Sequence, residues 1–172
     1  MSDVIIRPVL PADVPCVVHM VHELAAHEQM PEQCQLRAEQ LHQALFRDQP
    51  ALFGIVAEHN GSVGGFALYF LNFSTWDGVH GVYAEDVYVR PSLRGRGVGQ
   101  RFWQHLGQFA LDNGYTRVEC VTLRTNSLGM TVHLALGARP LDDWRTLRWD
   151  GDALHALAKG ETGSRSRQPA AS

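Results

Sequence analysis

Between Arg94 and Gly99 the chain reads Arg-Gly-Arg-Gly-Val-Gly, after an apolar strand pattern that ends at Arg90 and before a helical pattern that starts near Gly97. No other stretch constrains the fold as much. Glycines this dense let the backbone curl closely round a ligand, because there is no Cβ in the way. A helix that begins directly afterwards offers unpaired N–H groups and the positive end of its dipole, which suit a phosphate or pyrophosphate. Arg94 and Arg96 can add charge-assisted contacts. A P-loop is excluded, since no Gly-Lys-Ser/Thr ends the run. A dinucleotide fingerprint fails because Gln100 stands where glycine or alanine is needed. Two readings remain open: a plain glycine-rich turn, or a phosphate cradle of the form Arg94-x-x-Gly97-x-Gly99.

The surrounding pattern places the run in a definite order of elements. Val4 to Ile6 predicts a first strand closed by Pro8. Val14, Val17, Val18, Val21, Leu24 and Ala25 have helical spacing after Pro11-Ala12-Asp13, and Leu36 to Phe46 predicts a second helix. Ala51 to Glu58 and Val63 to Phe73 read as strands joined by the tight-turn signal Asn60-Gly61. Gly78 to Val89 is a third strand of that meander. Strict alternation along it puts Val82, Ala84, Asp86 and Tyr88 on one face and Tyr83, Glu85, Val87 and Val89 on the other. Val98, Phe102, Leu106, Phe109 and Ala110 mark one face of the helix after the glycines, which closes at Asn113-Gly114. Arg117 to Leu123 predicts a strand, Ser127 to Leu136 a helix stopped by Gly137, Asp143 to Trp149 a final strand, and Asp152 to Ala158 a short helix. The order is that of a mixed α/β domain rather than a regular βαβ series. Residues 1–159 are expected to form one domain and residues 160–172, rich in Ser, Arg, Gly and Pro, a solvated tail.

Composition narrows the function classes. With 172 residues, 45% hydrophobic, the chain suffices for one well-buried core, and a formal net charge of -3 draws it to neither nucleic acid nor anionic lipid. Cys16, Cys34 and Cys120 form no CxxC and suggest reduced thiols. The first residues lack a signal-peptide layout, and no apolar run approaches the roughly 18 residues of a membrane span. A cytoplasmic protein is expected, with no nucleic-acid or membrane partner. Among the nine histidines, His19, His22 and His27 have no HExxH or Cys/His zinc spacing, so no metal is expected.

The glycine run resembles the Arg/Gln-x-x-Gly-x-Gly/Ala motif of the GNAT superfamily of N-acetyltransferases, and the order of elements around it matches that fold. From Val4 to about Ala158 the chain is similar to the diamine (spermidine/spermine) and thialysine acetyltransferase branch. Ile6-Arg7-Pro8, Glu23-Leu24-Ala25, Gly65 to Phe70, Glu85-Asp86, Asn126, Gly137-Ala138 and Trp144-Arg145 carry that likeness. The resemblance implies a central, mostly antiparallel sheet with a splayed parallel pair, flanked by helices. It implies acetyl-CoA as co-substrate, a primary amine of a small cationic acceptor (diamine, polyamine, lysine analogue or amino acid), direct attack in a ternary complex, and a homodimer. The strand end Val87-Tyr88-Val89 would face the cofactor's pantetheine arm. Amides of Arg94, Gly95, Arg96, Gly97, Val98 and Gly99 would take the pyrophosphate, and Asn126 would help hold the arm. Glu85 and Asp86 match acidic residues beside the reacting centre, and Glu28 matches a position associated with a cationic substrate. His27 stands beside Glu28 where the polyamine branch tends to carry an aromatic residue.

Acetyl transfer to an amine needs a neutral nitrogen, a polarised carbonyl and an acid for the departing thiolate. A lysine-type ammonium titrates near ~10.4, so a base must assist at neutral pH. Glu85 is the candidate base, against the alternative of a solvent-facing strand carboxylate. Asp86, on the opposite face by alternation, is not expected to share its role. A backbone N–H near Val87 would polarise the carbonyl. Where related enzymes place a tyrosine acid, this chain has His133; it reads as a proton donor or as a plain helix histidine, with Tyr83 or solvent as substitutes. Trp76 reads as a wall of the acceptor pocket or as a packed loop aromatic. A non-catalytic CoA-binding or sensing module, and an acetyltransferase for protein or peptide amines, are the alternatives to a small-amine enzyme.

Overall fold

The computed structural model describes residues 4–161. Five strands form one sheet in the order β1-β2-β3-β4-β5: Ile5–Pro8, Phe53–His59, Ser62–Ser74, Val79–Val89 and Val118–Cys120. The first four pair antiparallel, and β5 joins β4 in parallel through Val82–Ala84 and Val118–Cys120. Helices α1 (Val14–His27) and α2 (Ala38–Phe46) precede β2, α3 (Val98–Asp112) follows β4, and α4 (Ser127–Ala135) follows β5. This is the mixed, mostly antiparallel architecture with one parallel pair that the sequence predicts.

Two apolar layers sandwich the sheet. On one face, Val98, Phe102, Leu106 and Ala110 of α3 recur every fourth residue and meet Ala67, Tyr69, Val82 and Ala84. On the other, Val14, Val17 and Met20 of α1 and Leu41 and Leu45 of α2 cover Val56, Phe66, Leu68 and Tyr88. Each fully buried large side chain contributes roughly 1.5–3 kcal/mol through removal from water. The β2–β3 turn is the tight one its sequence signals: Asn60 and Gly61 have φ of 52° and 73°, the left-handed conformation this hairpin requires.

The described residues divide into two compact units, parted between Leu136 and Gly137. In the second, Gly151–Ala158 forms α5. The expected strand Asp143–Trp149 is not formed; these residues are all exposed and no described strand pairs with them. The β-forming residues Trp144, Thr146, Leu147 and Trp149 supply propensity, but a strand also needs a partner for its backbone groups. The strand expected at Arg117–Leu123 contracts to Val118–Cys120 for the same reason, since β4 pairs with it only that far. Of the expected tail, Gly160 and Glu161 follow α5 and the rest lies outside the described residues.

Candidate active site

The decisive local feature is a bulge in β4. Leu68 pairs with Asp86 and its neighbour Tyr69 with Ala84, so Glu85 is an extra residue with no partner on β3. An inserted residue resets the alternation of a strand. Val82 and Ala84 face α3, and beyond the bulge Val87 and Val89 face α3 as well. Tyr88, and with it Asp86, is turned to the α1 side. This corrects the strict alternation expected for β4, which put Ala84 and Asp86 together. Glu85 and Asp86 are therefore not segregated to opposite faces with unrelated surroundings.

Electrostatics report the consequence. Asp86 is partly buried and its carboxyl titrates at about 6, above the usual 3.8, first through desolvation and then through repulsion from Glu85 and Glu28. Glu28 is the residue at the C-terminal end of α1, followed by Gln29 in the left-handed region at φ 62°. Acids from the end of α1 and from β4 thus both act on Asp86. His27 is the last residue of α1 and is exposed. Trp76 lies in the β3–β4 turn and is 87% exposed. Tyr83, overlooked as more than a substitute acid, is stacked on Phe70 at 4.8 Å, and its hydroxyl is pushed up by burial, then by Glu85, Cys120 and Glu119.

At the other end of β4 the cradle takes shape. After Ala84 no described strand pairs with the β5 side of β4, which leaves an open edge from Glu85 to Val89. The side chains of Val87 and Val89 pack against the core, and the backbone of this edge has no described strand beside it. Gly95 and Gly97 have φ of 73° and 74°, which L side chains rarely adopt, and a Cβ built at either meets nothing within 4 Å. The space before them is therefore open. Among the described residues the amides of Gly95, Arg96 and Gly97 make no backbone hydrogen bond, whereas Arg101 N–H donates to the Gly97 carbonyl to start α3. Val98 is buried in the core. Arg94 is turned back: its Nε donates to the Val89 carbonyl at 2.8 Å, and its guanidinium lies 5.7 Å from the centre of the Tyr88 ring. It braces the loop. Arg96 is exposed.

Asn126 caps α4, its Oδ1 accepting from the Gly129 amide at 2.9 Å. His133 is partly buried with its ring edge-on to Trp103 of α3 at 5.1 Å, and burial lowers its pKa. Unbonded amides at a helix start, the open space before Gly95 and Gly97 and an open strand edge fit a cofactor with a diphosphate and an amide-bearing arm. Among the described residues no group of His, Cys, Asp and Glu could hold a metal ion, and no helix is long and apolar enough to cross a membrane.

Comparison with known proteins agrees with this geometry. The chain is 31% identical to the thialysine N-epsilon-acetyltransferase of Bos taurus, over 92% of this chain and 99% of that one. It is 27% identical to a Homo sapiens spermidine/spermine N(1)-acetyltransferase-like protein 1, over 89% of this chain but 23% of that one. Among solved structures, an integron cassette protein of V. cholerae is similar with a TM-score of 0.77 and 25% identity, over 92% of this chain and 99% of that one. The pattern of the acetyltransferase (GNAT) family matches residues 18–137, and the chain belongs to that family of N-acetyltransferases.

Proposed function

We propose that the protein transfers an acetyl group from acetyl-CoA to a primary amine of a small cationic acceptor, such as a diamine, polyamine or lysine analogue, by direct attack in a ternary complex. One observation carries the acceptor class: Glu85 and Glu28 both act on Asp86, without a cation among the causes of its shift. An ammonium group relieves that repulsion. The names of the thialysine and spermidine/spermine relatives support the same reading.

Acetyl-CoA supplies the acetyl thioester. The amides of Gly95 to Gly99 bind its diphosphate, the open edge at Val87–Val89 receives its arm, and Nδ2 of Asn126 holds that arm from α4. Asp86 and Glu28 hold the acceptor ammonium. Glu85, displaced from the ladder by the bulge, takes the proton from the attacking nitrogen directly or through water. A backbone N–H near Val87 polarises the carbonyl. His133 is the donor for the departing thiolate: its imidazolium gives up a ring proton and becomes neutral, and burial, which lowers its pKa, makes that proton easier to release. The protein acts as a cytoplasmic homodimer in this reading.

The test is release of CoA thiol from acetyl-CoA across a panel of diamines, polyamines, lysine analogues and neutral amines. Cationic acceptors should give the highest kcat/KM, and initial-rate lines should intersect rather than run parallel. Stoichiometric acetyl-CoA binding without amine-dependent thiol release would overturn the reading in favour of a sensing module. His133→Ala should lower kcat severalfold at unchanged cofactor affinity; an unchanged kcat removes His133 as the acid.

A further inference from the structure

Beside the amide cradle, a second group of polar side chains converges from a different part of the chain. Arg96 leaves the glycine run and its Nη1 lies 3.4 Å from Nε2 of His59, the last residue of β2. Asn60, in the tight turn that follows, approaches the same Nε2 with its Nδ2 at 3.2 Å. The left-handed backbone at Asn60 and Gly61 fixes the turn that presents both residues. A guanidinium only donates hydrogen bonds, so Nε2 is the acceptor toward Arg96, and the Asn60 amide competes for that same atom. Two donors share one acceptor here. Arg94, by contrast, turns away from this group and braces the loop through Val89 and Tyr88.

We propose that Arg96, His59 and Asn60 form a second anion subsite, distinct from the glycine-run amides, which takes the 3′-phosphomonoester of the bound cofactor. The inference rests on acetyl-CoA being the ligand of the glycine run. Coenzyme A carries its charge in two separated places, a diphosphate and a phosphomonoester. The helix start and its amides answer the first, and a guanidinium, an imidazole and a carboxamide at the neighbouring turn answer the second. A phosphomonoester oxygen accepts from all three, and the imidazole changes from acceptor to donor when it does. This makes the β2–β3 turn, remote in sequence from the glycine run, part of cofactor selection.

The experiment compares binding of CoA and 3′-dephospho-CoA by calorimetry in the wild type, His59→Ala, Arg96→Ala and the double variant. The wild type should bind CoA about tenfold tighter than dephospho-CoA, the scale of one or two charge-assisted hydrogen bonds. His59→Ala should weaken CoA severalfold and leave dephospho-CoA unchanged. The double variant should lose less than the product of the single losses, because the two groups serve one anion. If His59→Ala weakens both ligands equally, or neither, the subsite is overturned while the cradle stands. If the wild type binds neither ligand, the acetyl-CoA reading itself falls.

Discussion

Two aspartates at opposite ends of the α1 layer live in opposite fields. Asp13, 8% exposed, sits in the turn before α1 and receives two hydrogen bonds from Arg7, at 2.6 and 3.1 Å, and one from the Leu10 amide at 2.8 Å. Arg7 also reaches Glu58 on β2 at 2.7 Å, so one guanidinium ties β1, β2 and the α1 entrance together. The hydrogen bonds from Arg7 outweigh desolvation and hold the Asp13 carboxyl below its usual range. At the far end of α1, Asp86 meets burial plus two like charges and is pushed up to about 6. Both carboxylates are removed from water, and only the first is compensated within the fold. Compensated charge at Asp13 builds the entrance to α1. Uncompensated charge at Asp86 costs stability, and the proposed cationic acceptor would bring the missing cation.

The sharpest way to break this contrast is catalytic. Glu85→Gln, beside Asp86, should lower kcat/KM by about 100-fold or more at neutral pH, the scale of a lost general base. The loss should shrink as pH rises toward the pKa of the acceptor amine, where the nucleophile deprotonates unaided. Asp13→Asn should leave kcat/KM nearly unaltered. A pH-independent loss in the first variant, or a comparable loss in the second, would erase the distinction between a working and a structural carboxylate.

Second in size is the stability effect at the compensated site. Asp13→Ala removes both Arg7 contacts and strands the Leu10 amide, so unfolding free energy should fall by about 2–3 kcal/mol, softened because Arg7 keeps Glu58. Denaturant titration checks this. The contribution has a definite sign with pH: with its pKa depressed in the fold, Asp13 stabilises above its unfolded value of 3.8 and loses that contribution as pH falls through the lower folded value. A variant as stable as the wild type at pH 7 would make the Arg7 network decorative.

Much of the frame was legible in residues because local signals and packing agreed. The stripe Val98, Phe102, Leu106, Ala110 announces the buried face of α3, and Asn60-Gly61 announces its turn, since both depend on short-range geometry. The bulge at Glu85 was not legible. It is an offset between β4 and β3, and no residue type in Ala84-Glu85-Asp86 marks it. Strict alternation therefore predicts the wrong face for Asp86 relative to Ala84. The segment Asp143–Trp149 failed in the converse way: its side chains favour a strand, but pairing depends on an edge elsewhere. Arg94 and Arg96 differ only in what surrounds them. Neither the brace at Val89 nor the approach to His59 is visible in a motif where both are simply arginine, and Arg7's partnership with Asp13 is equally silent.

The smallest expected effect tests the uncompensated site directly. A folded pKa of about 6 against an unfolded 3.8 means that the native state holds more proton than the unfolded state between those values. Stability therefore falls as pH rises through that window, and the full cost is present above about pH 6. The shift corresponds to at most about 3 kcal/mol, and side-chain relaxation reduces what a substitution recovers. Asp86→Asn removes the ionisation while keeping the size, so it should stabilise the protein by about 1–2 kcal/mol at pH 7.5 and by almost nothing below pH 4. The same variant should raise KM for a cationic acceptor, because in the proposed function the group that burdens the fold holds the ammonium. A saturating diamine should then stabilise the wild type more than the variant. If Asp86→Asn destabilises at pH 7.5, the carboxylate has a cationic partner after all, and Asp86 belongs with Asp13 among the charges that build the fold.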